Sequence, residues 1–303
     1  MHVPLIRRRP AFLCAIAVFL CSLVFPLTAQ ETGPDADASA EASASEGLPA
    51  EGQERFDALQ ERARAAREEG RTREALQLYG LMQEMAPEDA DIAYNRASLH
   101  LDLREYERAV ILFQRAGEMG LDTAEFHYNR GNALYGAGRI EPALGAYEAA
   151  LEREPEDADT LNNLGLASLA MDDVEAAREY LERAAAADTQ WAVPFFHLGN
   201  LHLDQDEPEA AASAFTEALN RNTAFDQAQY NRGIAYYRSG AFRDAFDDFL
   251  AVRELRPEDP DVLYNLGASA VAAAEALEAD NGSTSGESDD ASDDAEGGGD
   301  GAE

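Results

Sequence analysis

Residues 124–157 read AEFHYNRGNALYGAGRIEPALGAYEAALEREPED, and residues 158–191 read ADTLNNLGLASLAMDDVEAAREYLERAAAADTQW. Set in register, they place Gly131 over Gly165, Gly138 over Asp172, Ala143 over Ala177, Tyr147 over Leu181 and Ala150 over Ala184. The same 34-residue frame continues in both directions without an insertion, with units starting at Phe56, Ala90, Ala124, Ala158, Ala192, Asp226 and Pro260. Position 8 of the frame is Ala63, Ala97, Gly131, Gly165, Gly199, Gly233 and Gly267, and position 20 is alanine from Ala75 to Ala245. Position 24 is Tyr79, Phe113, Tyr147, Leu181, Phe215 and Phe249, and position 27 is Met82, Ala116, Ala150, Ala184, Ala218 and Val252. A fixed period of this length marks a stacked-repeat architecture, in which each unit buries its apolar face against its neighbours.

The spacing has a direct physical reading. Small residues at positions 8 and 20 let two antiparallel helices approach closely, while the large residue at 24 fills the space beside them. Turn formers Gly70, Gly138, Asp172, Asp206 and Gly240 recur at position 15, between the two helices of a unit. Pro142 and Pro208 stand near the start of second helices, where a missing N–H costs little, and Pro87, Pro155 and Pro257 at position 32 end them. These columns resemble the tetratricopeptide repeat family over residues 55–278. The resemblance implies an all-α fold, a right-handed superhelical solenoid of six helix-turn-helix units. Residues 260–278 would add a seventh first helix as the C-terminal cap. Gln60, Glu61, Arg62 and Arg64 in the first unit suit a solvent-facing end, and a stack of this kind needs polar faces at both ends.

Composition bounds the rest. The chain carries 24 basic and 59 acidic residues, for a net charge of −35, and every basic residue is Arg. An apolar fraction of 46% excludes wholesale disorder. The charge argues against nucleic acid, which needs clustered cations, and against anionic lipid headgroups. A charged partner is expected to be basic. The charge falls into four regimes: +3 over residues 1–29, −7 over 30–54, −22 over 55–278 and −9 over 279–303.

Arg7, Arg8 and Arg9 precede an uncharged apolar run from Ala11 to Leu27, followed by Thr28-Ala29-Gln30. This layout reads as a signal peptide, residues 1–29, or as an uncleaved N-terminal membrane anchor, the run being ~25 Å long as a helix. Either way the remainder is expected to be exported, to the periplasm or anchored to the cytoplasmic membrane facing outward. Both cysteines, Cys14 and Cys21, fall inside this segment, so cleavage would leave no thiol for disulfide, nucleophile or metal. Residues 30–54 and 279–303 offer almost nothing to bury and are expected to be disordered acidic flanks.

In the family resembled, the first helices line a concave groove. Position 6 here is Asn95, Asn129, Asn163, Asn231 and Asn265, interrupted by Glu61 and His197, and position 5 is Tyr94, Tyr128, Asn162, Phe196, Tyr230 and Tyr264. The column resembles the asparagine ladder by which some members grip an extended peptide. A carboxamide offers both donor and acceptor, and the aromatics add flat apolar contact. The alternative is that these residues come with the fold and bind nothing. Position 2 carries Asp91, Glu125, Asp159 and Asp261. These acids either favour a basic ligand segment or merely complement the helix dipole. Arg96, Arg130 and Arg232 at position 7 are expected to pack helices. The basic clamp that some members use for a C-terminal carboxylate is missing, which disfavours that receptor type.

No catalytic constellation stands out, and no cofactor or metal site is expected. His100, His127, His197 and His202 fall on repeat positions that mostly pack helices, and His197 and His202 are five apart, off the i,i+4 spacing of paired ligands. The sequence therefore reads as a non-catalytic protein–protein interaction scaffold that holds an extended or helical partner segment in its groove. Alternatives are an accessory subunit of a membrane-anchored envelope complex, like the repeat proteins that accompany von Willebrand-type proteins in aerotolerance operons, or a cell-wall-binding protein. The acidity could equally be an adaptation to a saline habitat, and the oligomeric state stays open.

Overall fold

The amphipathic helix pairs written into the repeat form as expected. The computed structural model describes residues 50–286, with side chains to residue 279. The apolar segment Ala11–Leu27, both cysteines and most of the two acidic flanks lie outside the described residues. The chain runs through α1 (Ala50–Glu68), α2 (Thr72–Met85), α3 (Ala90–Asp102), α4 (Tyr106–Glu118), α5 (Ala124–Gly136), α6 (Ile140–Leu151), α7 (Ala158–Ala170) and α8 (Val174–Ala187). It continues with α9 (Ala192–Asp204), α10 (Pro208–Arg221), α11 (Asp226–Arg238), α12 (Phe242–Leu255) and α13 (Pro260–Gly286). No strand occurs among the described residues. Six helix hairpins and one further first helix match the repeat frame.

Two boundaries differ from the sequence reading. Helix α1 starts at Ala50, inside the stretch read as linker, and α13 runs to Gly286, past Glu278. Once a helix is nucleated, each added residue contributes a hydrogen bond for little further cost. Good helix formers such as the Ala, Glu and Leu of residues 272–279 therefore carry α13 beyond its packed part.

The chain divides into two compact units that change over between Thr189 and Gln190. The first contains α1–α8. Its core is built around Phe56, Leu59, Tyr79 and Met82 at one level and Phe113, Phe126, Tyr147 and Leu164 at another. The second contains α9–α13, with Leu203, Phe215, Tyr237, Phe249 and Val252 at its centre.

In four of the six hairpins the position-8 residue is a glycine pressed by position 24. A methyl group added at Gly131 would lie 2.5 Å from the Tyr147 ring, at Gly165 2.8 Å from Leu181, at Gly199 2.6 Å from Phe215 and at Gly233 2.9 Å from Phe249. Position 15 is left-handed in all six hairpins, with φ of 69° at Gly70, 58° at Arg104, 74° at Gly138, 63° at Asp172, 59° at Asp206 and 84° at Gly240. The sequence reading missed Arg104, because arginine is not a turn former and only the register of its neighbours marks the position. Repeats are also tied along the second helices: Arg115 donates to the carbonyl of Pro87 (2.8 Å) and Arg183 to that of Pro155 (3.1 Å), each from position 26 to position 32 of the repeat before.

Candidate functional site

Two residues four apart on a helix share a face, one turn from each other. Within each unit successive first helices lie side by side, so a residue at position 5 of one repeat faces positions 2 and 6 of the next. Tyr94 on α3 does this. Its hydroxyl donates to Glu125 Oε1 (2.5 Å) and accepts from Asn129 Nδ2 (2.7 Å), both on α5. One repeat further, Asn163 on α7 donates to the Tyr128 hydroxyl (3.4 Å) and to Asn132 Oδ1 (2.9 Å), and Asn132 also accepts from Tyr147 (2.8 Å). At the start of the row, Asn95 donates to the Asp91 carbonyl in its own helix (2.9 Å) and accepts from Arg67 on α1 (3.1 Å).

Burial, then the Glu125 charge, holds the Tyr94 hydroxyl well above its ordinary pKa, and burial with Asp159 pushes Tyr128 up to about 12. Both phenols keep their protons at neutral pH; Tyr94 donates and accepts at once, and Tyr128 accepts from Asn163. The carboxyls of Asp91 and Asp159 are also raised, first by burial and then by Asp89 in one case and Asp157 and Asp188 in the other. Acidic charge on this face is held against its own repulsion.

The second unit repeats the pattern with less surface. Asn231 donates to Asn200 Oδ1 (2.7 Å), and Asn265 donates to the Tyr230 hydroxyl (2.8 Å). Tyr230 and Asn265 were expected along an open groove, and both are instead buried, because α13 closes over the face of α11 that carries Tyr230. Phe196 stacks near Phe225, with ring centroids 4.8 Å apart, and packs against the core. Tyr264 on α13 stays exposed. His197 is desolvated, and its pKa falls to about 4, so it is neutral at physiological pH.

The site residues thus meet through neighbouring repeats. In the first unit Asn95, Asn129 and Asn163 are half-buried and flanked by Asp91, Glu125 and Asp159, and in the second unit Asn231 is half-buried. Sequence reasoning missed Asn132 and Asn200 at position 9. Their signal was available, since each precedes a position-6 asparagine by 31 residues, one period less most of a helical turn. Two of the position-7 arginines join their first helix to a second one: Arg232 forms a two-pronged pair with Asp248 (both contacts 2.8 Å), and Arg96 bonds Gln83. Among the described residues no group of three His, Cys, Asp or Glu side chains is placed to hold a metal ion.

Helix hairpins on a strict frame, stitched through polar side chains of their first helices, define a stacked helical-repeat protein. A family model described as tetratricopeptide repeat matches residues 61–119, 128–190 and 196–260, more than half of the chain, and the chain belongs to that family. Among solved structures it is similar to PilF of Pseudomonas aeruginosa, at 20% identity over 70% of this chain and 97% of that one, with a TM-score of 0.60. PilW, described as a widely conserved type IV pilus biogenesis factor, is 19% identical over 70% of this chain and 98% of its own, with a TM-score of 0.62. YrrB, described as a TPR protein with an unusual peptide-binding site, is 23% identical over 61% of this chain and 96% of its own, with a TM-score of 0.51. These likenesses show the fold. A comparison with curated protein sequences gives no match.

Proposed function

We propose that this protein is a non-catalytic protein–protein interaction scaffold that works outside the cytoplasmic membrane and holds a basic, extended partner segment along the first helices of α3, α5 and α7. One observation carries the reading: the half-buried Asp91 and Asp159 carboxyls sit beside the Asn95–Asn129–Asn163 column with their charge disfavoured by burial and by other acids. A Lys or Arg side chain laid there would relieve that penalty, and a carboxamide has more donor and acceptor positions than one ladder bond uses. YrrB, a relative in fold, is described as having a peptide-binding site. The export layout of Arg7–Leu27 and the fold likeness to PilW, a type IV pilus biogenesis factor, support an envelope setting.

The test is affinity capture from the source envelope with the parent chain and with a Glu125→Gln, Asp159→Asn double variant. Glu125→Gln keeps an acceptor for the Tyr94 hydroxyl, and both substitutions remove charge at nearly constant size. A partner retained by the parent at low salt and lost by the variant and at high salt is the expected result. A partner held equally by both moves the interface off these acids. Absence of any partner overturns the scaffold reading in favour of a structural or wall-binding role, and intact protein in the soluble cytoplasm after fractionation overturns export.

A further inference from the structure

Helix α13 lacks the polar outer face that the end of a stack requires. One side packs on α12 through the buried Val262, Ala268 and Ala272. The other presents Leu263, Gly267, Ala270, Val271, Ala274 and Leu277, at spacings of three and four that form one apolar stripe along four turns. Leu263 is 45% exposed, Val271 54% and Leu277 64%. In the four preceding hairpins the glycine at position 8 is covered by a large residue at position 24 of a second helix, Tyr147, Leu181, Phe215 or Phe249. At Gly267 no described atom lies within 4 Å of where a side chain would begin. Residues 287–303 contain no apolar side chain larger than alanine, so they cannot supply the missing helix.

We infer that this face of α13 is a docking site for a basic amphipathic helix of a partner protein, which completes a seventh repeat in trans by seating an aromatic or leucine side chain over Gly267. Charge selects this occupant over a second copy of the chain. Glu258 and Asp261 flank the start of the stripe and Glu275 and Glu278 its end, so another α13 would set acid against acid in either orientation, whereas Lys and Arg beside the incoming stripe meet acids at both ends. The site is separate from the Asn column on α3, α5 and α7.

The probe is a fluorescent peptide of residues 242–256 of this chain carrying Asp244→Lys and Asp247→Lys, since this helix already seats Phe249 on Gly233. The unmodified acidic peptide is the comparison. The full chain is expected to bind the basic peptide saturably in fluorescence anisotropy, more weakly at high salt, and about tenfold more tightly than the acidic one. Val271→Glu and Gly267→Phe are each expected to weaken binding at least about tenfold with unchanged circular dichroism, because both positions point away from the packed side. Failure of the basic peptide to bind, equal affinity for the two peptides, or equal binding by the variants overturns the proposal. A parent dimer that Val271→Glu dissociates in sedimentation assigns the face to a second copy. Binding that appears only when residues 1–29 are removed assigns it to this chain's own apolar segment. Either result also overturns the proposal.

Discussion

A single tyrosine hydroxyl shows how the polar column is used. Tyr94 bridges Glu125 and Asn129 across two repeats, so Tyr94→Phe leaves a half-buried carboxamide short of an acceptor and a carboxylate short of a donor. The expected cost is ~1 kcal/mol, read as a lower denaturant midpoint with unchanged slope. An unchanged midpoint would mean that the contact does not stitch the repeats. Asp159 behaves oppositely. Its raised pKa means that the folded state holds its proton more tightly than the unfolded chain does, so its contribution to stability is lost as pH rises from the ordinary value of 3.8 through the folded value. Asp159→Asn is therefore expected to raise the melting temperature at neutral pH and leave it unchanged below that window. Arg104 holds a left-handed conformation at φ 58°, which costs an L-residue ~1–2 kcal/mol. Glycine there would lose ~0.5–1 kcal/mol more chain entropy, so Arg104→Gly is expected to stabilise the protein slightly, again read from the denaturant midpoint.

At the scale of the helix pair, the contact between positions 8 and 24 sets how closely two helices can lie. Gly199→Ala would push a methyl group into the Phe215 ring at 2.6 Å, and a cost of ~1–3 kcal/mol is expected from overpacking. Gly267→Ala meets nothing within 4 Å and gains ~1 kcal/mol of helix propensity, so it is expected to be neutral or stabilising. Thermal unfolding of the two variants, identical in chemistry and in frame position, checks both values. A loss of stability in Gly267→Ala comparable with that in Gly199→Ala would show that a segment of the same chain already covers α13. The pairing itself was legible in the sequence, because the column of small residues and the column of large ones recur together. The bareness of Gly267 was not, since Ala-rich composition does not reveal which side of a helix is packed.

For the molecule as a whole, the excess of negative charge has the widest reach. With −22 on residues 55–278, self-repulsion opposes compaction, while exposed ion pairs such as Arg139–Glu107 and Arg108–Glu105 contribute little each. Added salt screens both, and repulsion is expected to win. The melting temperature should rise with ionic strength, by a few degrees for each kcal/mol of repulsion removed. A fall on adding salt would mean that the paired arginines outweigh the excess acids. The same charge argues for basic partners at both proposed surfaces, each of which carries flanking acids.

The repeat, its register, the helix hairpins and the excess of acid are all legible in the order of residues, because they follow from local periodicity and composition and recur without interruption. The sequence showed that asparagine and tyrosine recur in columns but could not say what they touch. Only the tertiary structure decided that Tyr94 and Asn129 bond to each other, that Tyr230 and Asn265 are buried and that the outer side of α13 is apolar and bare. Those facts depend on which neighbouring helix covers which face, and side-chain contacts across a 34-residue interval are set by packing, which leaves no mark in any one segment of the chain.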